Sequence, residues 1–247
     1  MSSVRVLDIP VDRCSKNALL AHIQHSIEAR SGNLITYVNV YVANLHRTNA
    51  RVRDYLLASK VRYCDGEGIR LAAWILGKEI PARIALTHWI WELAKWCSEK
   101  RYSVFLLGAK EGPLNAAMDN LKEKVPNLKV AGHHGYFEPG ENDHILDEIR
   151  AAQPDVLFVG LGLPRQAIWI MENRKMLNVG VILPCGMMID YLSGAAPVAP
   201  RWMQRTGTEW LYRLVQEPAR LWSRYLIGNP LFIGRVLLQL IKEGKQE

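Results

Sequence analysis

The chain has no Cys-x-x-Cys pair: its four cysteines, Cys14, Cys64, Cys97 and Cys185, lie far apart in 247 residues. That spacing suggests neither a zinc cage nor a small disulfide framework, and it fits a reducing compartment. No apolar run is long enough for the roughly 20 residues that a spanning helix needs. The longest candidate, residues 225–241, is interrupted by Asn229, Pro230, Arg235 and Gln239. The first apolar stretch carries Asp8, Asp12 and Arg13, so no signal-peptide core can be drawn there. Three chemical signatures are also missing. There is no Gly-x-x-x-x-Gly-Lys-Ser/Thr phosphate loop and no Gly-x-Ser-x-Gly nucleophile elbow. Gly160-Leu161-Gly162 lacks the third glycine of a dinucleotide fingerprint, and no strand-end acid follows about 20 positions later.

What is present reads as a folded protein. Hydrophobic residues make up 49% and charged residues 22%, which argues against disorder and low complexity. The length suits one large α/β domain or a domain with an appendage. Lys+Arg 31 against Asp+Glu 24 gives +7 at pH 7, so the surface should attract anions: diphosphates, acidic lipid headgroups or nucleic acid. Charge alone does not choose among them.

Short β-branched runs at 34–38, 61–64, 103–107, 156–159 and 179–183, with a weaker one at 128–131, alternate with amphipathic stretches. The helical patterns cover 15–29, 40–58, 69–76, 89–99, 113–124, 143–152 and 165–176, and residues 4–11 suit a small separate hairpin. This alternation predicts an α/β fold: a Rossmann-like, mostly parallel sheet with helices on both faces. After Gly194 the pattern changes. Ala195-Ala196-Pro197-Val198-Ala199-Pro200 reads as a linker, and no strand pattern follows. A catalytic domain over 1–194 and a basic, amphipathic helical appendage over 195–247 are expected. Residues 201–247 hold three of the eight tryptophans and eight Lys/Arg against four Asp/Glu. Asn229-Pro230 predicts an N-cap and a proline at the first position of a last helix.

Open parallel sheets bind ligands beyond the carboxyl ends of their strands, against helix N-termini with free N–H groups. There the sequence places Asn39, Asp65-Gly66-Glu67-Gly68, a turn from Gly108, the stretch from Gly160 through Gly162 to Gln166, and Pro184-Cys185-Gly186. Glycines at such turns let backbone amides approach a phosphate or ribose, but they also serve any strand-to-helix turn. Asp65 is the sharpest candidate. A carboxylate over a cleft can take a hydroxyl proton as a general base, and an aspartate there can equally cap the next helix. His133-His134 has no third ligand at a recognisable spacing, so no metal is expected. His22 and His25 are assigned nothing. Arg213, Arg220 and Arg224 are spaced by seven and four, which puts three guanidinium groups along one helical face suited to phosphates. The same periodicity fits an amphipathic helix docked on its own domain with a solvated basic side.

Asp65-Gly66-Glu67-Gly68, Phe105-Leu106-Leu107-Gly108, Gly135-Tyr136-Phe137, Gly162-Leu163-Pro164-Arg165-Gln166 and Gly207-Thr208-Glu209-Trp210-Leu211-Tyr212-Arg213-Leu214 occur in order. With these motifs the chain resembles the WecG/TagA/CpsF glycosyltransferases over nearly its whole length. The resemblance implies an inverting transferase that moves a sugar from a UDP-sugar donor to a polyprenyl-diphosphate-linked sugar acceptor, in cell-surface polysaccharide synthesis. It implies a cytoplasmic enzyme held peripherally at the inner membrane surface, without a cofactor. Asp65 would deprotonate the acceptor hydroxyl, and Asn39, with Thr36 nearby, would orient a sugar. Gln166 would touch the donor. Gly108, Tyr136, Gly160, Gly162, Gly186 and Asp190 complete the expected substrate-binding set. No Asp-x-Asp occurs, so Arg83, the backbone amides and the tail arginines Arg213, Arg220 and Arg224 are expected to hold the leaving diphosphate instead of a metal.

The chain departs from the family pattern in three places. The usual Thr-x-Asn reads Thr36-Tyr37-Val38-Asn39. The Arg-Val-x-Gly-x-Asp stretch reads Arg83-Ile84-Ala85-Leu86-Thr87-His88, and Ala167 replaces the glutamate that usually follows the glutamine. These departures bear on donor and acceptor preference. Two competing readings are a nucleotide-sugar epimerase or dehydrogenase on a similar sheet and a nucleic-acid-binding module. The missing fingerprint weighs against the first, and nucleic acid is not an expected partner. The sequence leaves self-association and the sugar transferred open.

Overall fold

A computed structural model describes residues 2–244. Met1 and residues 245–247, the extreme ends of the two expected parts, lie outside the described residues. The chain opens with an antiparallel hairpin of β1 (Ser3–Val6) and β2 (Ile9–Asp12). Leu7 and Asp8 turn it with φ of 48° and 69°, the pair of positive values that matches the twist of two-residue hairpins.

The main sheet contains β3 (Asn33–Val38), β4 (Val61–Cys64), β5 (Ser103–Gly108), β6 (Lys129–His133), β7 (Val156–Gly160) and β8 (Val181–Pro184). Their order is β4-β3-β8-β7-β5-β6, and every neighbouring pair is parallel. The expected parallel α/β sheet is therefore present. Its central strands are buried on both faces, as sheets covered by helices require. Along β7, Leu157 and Val159 enter one hydrophobic cluster, whereas Val156 and Phe158 enter the other. The connection leaving β5 runs outward to β6 and that leaving β7 runs inward to β8, so crossover direction reverses between these neighbours. Such a reversal opens a crevice at the strand ends.

The helical pattern at 40–58 is two helices, Val40–Thr48 and Ala50–Ala58. Asn49 between them is extended, and its side chain accepts from the Val52 N–H at 3.2 Å. An asparagine stabilises a helix start more than a helix interior, which explains the break.

From Arg201 the described chain is mainly helical: Arg201–Thr206, Glu209–Gln216, Pro218–Trp222, a π-helical turn Ser223–Ile227 and Gly228–Glu243. The expected Asn229 cap does not form. The chain is already helical at Ile227, and Asn229-Pro230 lies inside the first turn of the last helix. The π-helical turn Ser223–Ile227 directly precedes it, and there the regular i→i−4 bonding that a proline interrupts is already broken. This last helix lies on the body of the protein. Phe232 and Val236 enter the same cluster as the hairpin residues Val6 and Val11. Gln239 Oε1 accepts from the Leu7 N–H at 2.8 Å, and Lys78 pairs with Glu243 at 2.9 Å. Among the described residues no helix is long and apolar enough to cross a membrane.

Candidate active site

The carboxyl ends of β3, β4, β7 and β8 open into a cleft of about 2010 Å³, whose other wall comes from residues 195–233. That exceeds the roughly 300–1,000 Å³ of a site for one small ligand and leaves room for two substrates side by side.

Asp65 follows β4 directly and lines this cleft, partly accessible to it. Its backbone N–H still donates to Val38 O at 2.9 Å, so the sheet fixes its position. It does not cap the next helix. Gly66 holds that place, and the Asp65 carboxylate instead accepts from Asn39 Nδ2 at 3.4 Å. Asn39 is anchored in turn. Its Oδ1 accepts from the Val42 N–H at 3.1 Å and caps helix Val40–Thr48, leaving the amide to face Asp65. Burial pushes the Asp65 pKa up to about 6, against the opposing pull of Arg83, the Asn39 bond, Arg213 and Arg224. At neutral pH this carboxylate is mostly ionised, and its affinity for a proton is raised.

Arg213, Arg220 and Arg224 all line the same cleft. They do not share one continuous helix face, as the spacing suggests. Glu217 leaves the helical region, with φ −133° and ψ 60°, between helices Glu209–Gln216 and Pro218–Trp222, because a residue before proline is disfavoured there. Arg220 pairs with Glu217 at 2.5 Å. Among the described residues, Arg213 and Arg224 have no carboxylate at ion-pair distance. Arg213 Nη2 meets only the Met187 sulfur, at 3.0 Å. Arg224 stacks over the Tyr41 ring at 4.2 Å, its Nε is buried without a partner, and burial lowers its pKa. Half-buried cations without an ion-pair partner favour the arrival of an anion.

Arg83 lines the cleft, but its charge is partly engaged. It donates to Gln204 O at 3.2 Å and forms an ion pair with Glu209, whose other oxygen lies 2.6 Å from His88 Nε2. Burial and Arg83 lower the His88 pKa to about 4, so its ring is neutral at physiological pH.

The remaining candidates divide. Gly160, Gly162, Gly186, Tyr136 and Asp190 line the cleft. Burial raises the Asp190 pKa, and Tyr136 stands exposed at the rim with Lys110 Nζ 6.0 Å from its ring centre. Gly108, Thr36 and Gln166 do not line it. A Cβ on Gly108, at φ +151°, would come within 2.7 Å of Gly160 O, so this glycine lets the ends of β5 and β7 approach. The Thr36 hydroxyl points into the opposite layer and bonds the Tyr55 hydroxyl, both residues being buried. Gln166 is fully buried, and its Nε2 donates to the Tyr37 hydroxyl at 3.3 Å. Tyr37, Tyr41 and Met187 line the cleft and were not singled out by sequence. The alternation of β3 contained the signal for Tyr37, which lies two residues before Asn39 on a strand whose side chains alternate faces. Burial, chiefly, pushes the Tyr37 pKa up to about 12, and the Asp65 charge adds to it. Among the described residues no group of three His, Cys, Asp or Glu side chains is placed to hold a metal ion, and the His133–His134 pair stays outside any such cluster.

Residues 4–246 match the model of the Glycosyl transferase WecG/TagA/CpsF family. Among curated proteins, the chain is similar to an N-acetylglucosaminyldiphosphoundecaprenol N-acetyl-beta-D-mannosaminyltransferase of Bacillus subtilis (strain 168). The two are 28% identical over 249 aligned positions, covering 100% of this chain and 94% of that protein. A protein of the same name from Staphylococcus aureus (strain MW2) is 26% identical over 239 positions, covering 95% of this chain and 92% of that protein.

Proposed function

The chain belongs to the WecG/TagA/CpsF family of glycosyltransferases, and we propose that it transfers a sugar from a UDP-sugar to a polyprenyl-diphosphate-linked sugar acceptor, with inversion at the anomeric carbon. Family membership decides against the epimerase or dehydrogenase and nucleic-acid readings. The names of the relatives support a lipid-diphosphate-linked acceptor. The observation that carries the mechanism is the shared cleft of Asp65 and the two arginines without carboxylate partners, Arg213 and Arg224.

In this mechanism Asp65 accepts the proton of the acceptor hydroxyl as its oxygen attacks the anomeric carbon. The bond from that carbon to the UDP oxygen breaks in the same displacement, so configuration inverts once. Asn39 steadies the carboxylate and is near enough to meet a sugar hydroxyl. The negative charge that develops on the departing diphosphate is taken up by Arg213 and Arg224, with Arg220 and Arg83 nearby, rather than by a metal. The glycine turns at 160–162 and 186 offer backbone approach to the donor.

Residues 195–247 form, in this reading, an appendage that completes the site and faces the membrane. Trp202, Leu211, Val215, Trp222, Leu226 and Ile227 expose apolar surface on its helices, close to the arginines. Apolar side chains beside basic ones suit an anionic interface, which would bring the cleft to a lipid-linked acceptor from the cytoplasmic side.

The test is a UDP-sugar panel with a polyprenyl-diphosphate-linked acceptor, comparing the native protein with Asp65→Asn. Turnover of one donor, with a product linkage opposite to the donor's configuration and lost in Asp65→Asn, supports the reading. Retention of configuration, or full activity in Asp65→Asn, refutes it.

A further inference from the structure

Successive side chains of a strand point to opposite faces. On β3, Thr36 meets Tyr55 of helix Ala50–Ala58, and Tyr37 turns the other way to line the cleft. Tyr37 also stands two residues before Asn39, whose Nδ2 donates to the Asp65 carboxylate at 3.4 Å.

Three observations fix what this phenol can do. The Tyr37 oxygen already accepts from Gln166 Nε2 at 3.3 Å, so its own proton is free for a second partner. Gln166 is fully buried and does not line the cleft; its Nε2 reaches the Tyr37 hydroxyl, and its Oε1 has no partner among the described residues. A Cβ on Gly186, at φ +55°, would stand 3.5 Å from the Tyr37 hydroxyl, so the phenol reaches across the floor to the turn after β8. The ring thus fills depth in the cleft that Asp65 also lines.

We propose that Tyr37 is a specificity-determining residue that contacts the donor sugar: its hydroxyl, held by Gln166 as a positioning residue, donates to a sugar oxygen, and its ring excludes a bulky substituent there. The inference rests on the glycosyl-transfer reading. The donor class it selects is a UDP-hexose that presents a hydroxyl toward β3, in preference to one that presents an N-acetyl arm.

The experiment uses the full chain with a polyprenyl-diphosphate-linked acceptor and four donors: UDP-glucose, UDP-galactose, UDP-N-acetylglucosamine and UDP-N-acetylmannosamine. Wild type is expected to favour a donor without the acetamido group. Tyr37→Thr should shift the kcat/KM ratio toward the N-acetylated donors by roughly tenfold or more, the scale of pocket-size discrimination. Tyr37→Phe should lower kcat/KM for the preferred donor by roughly tenfold, the scale of one hydrogen bond. Gln166→Ala should lower it in wild type and have no further effect in the Tyr37→Phe background, a dependence that a purely structural role would not produce. Affinity for UDP alone, measured on every variant, should stay within threefold of wild type and reports a folded nucleotide site. The proposal is overturned if wild type prefers N-acetylated donors. It is also overturned if both Tyr37 variants keep rates and donor ranking within twofold, or if Gln166→Ala acts equally in the Tyr37→Phe background. Absence of turnover with every donor in wild type would instead count against the transfer reading itself.

Discussion

The Glu209 carboxylate sits between Arg83 and His88, tying the helix that carries Arg213 to the loop that precedes helix Leu86–Glu99. Both members of the Arg83–Glu209 pair are largely buried, with 12% and 20% of their side chains exposed. Removing the acid leaves a desolvated guanidinium without compensation. Glu209→Ala should therefore cost on the order of 1–3 kcal/mol, below the range of fully buried pairs because both groups keep some solvent. Thermal unfolding checks this, and the KM for the donor should rise as Arg213 loses its anchor. An unchanged midpoint together with an unchanged KM would contradict the tie.

The raised pKa of Asp65 gives a pH signature. The base form dominates above about 6, so kcat/KM should climb as pH rises through about 6 and then level. The stability consequence has the opposite sign. A carboxyl whose folded pKa lies above its unfolded value holds its proton more tightly in the native state, so its contribution to stability falls as pH rises from about 4 through about 6. Asp65→Asn should thus stabilise the protein at pH 8, by on the order of 1–3 kcal/mol, and give little gain at pH 4.5. Denaturant unfolding at the two pH values measures it.

Arg213 and Arg224 are each expected to contribute about 10²-fold or more to turnover, the scale of one lost donor to a developing anion. Replacement of Arg224 by methionine should leave stability unchanged or improved, because burial lowers its pKa and its Nε has no partner among the described residues. With arginines in this role, activity should survive EDTA. Full loss in EDTA with recovery on magnesium would assign the diphosphate to a metal.

Membrane contact is best tested on the surface of the appendage. Truncation after Pro200 would also remove Phe232 and Val236 from the shared core, so it would confound binding with folding. Replacing Trp202, Val215, Trp222 and Ile227 together with serine spares the core. Binding to anionic vesicles should fall at least tenfold, while turnover of a short-chain, water-soluble acceptor should persist. Unchanged vesicle binding would refute the assignment of this face.

Much of the fold was legible in the sequence because β-branched runs buried on both faces leave a pattern that needs no tertiary knowledge, as at 103–107 and 156–159. The strand-end rule then pointed to Asp65, Asn39 and the glycine turns before any geometry was known. Three features escaped for identifiable reasons. The breaks at Asn49 and Glu217 are set by local effects, a side-chain cap and a following proline, that outweigh helical periodicity. The opposite placement of Thr36 and Tyr37 turns on which face of β3 meets the cleft, and that depends on sheet order. The engagement of Arg83 by Glu209 joins residues 126 positions apart, which spacing alone cannot reveal.

The most direct test of the account is a paired measurement on Asp65→Asn and Arg213→Ala: affinity for UDP and rate of sugar transfer to the lipid-linked acceptor. A base and an anion holder in one pocket should separate cleanly, with Asp65→Asn binding UDP as wild type does and transferring at least about 10²-fold more slowly, and Arg213→Ala weakened in both. Transfer by Asp65→Asn at the wild-type rate would contradict it.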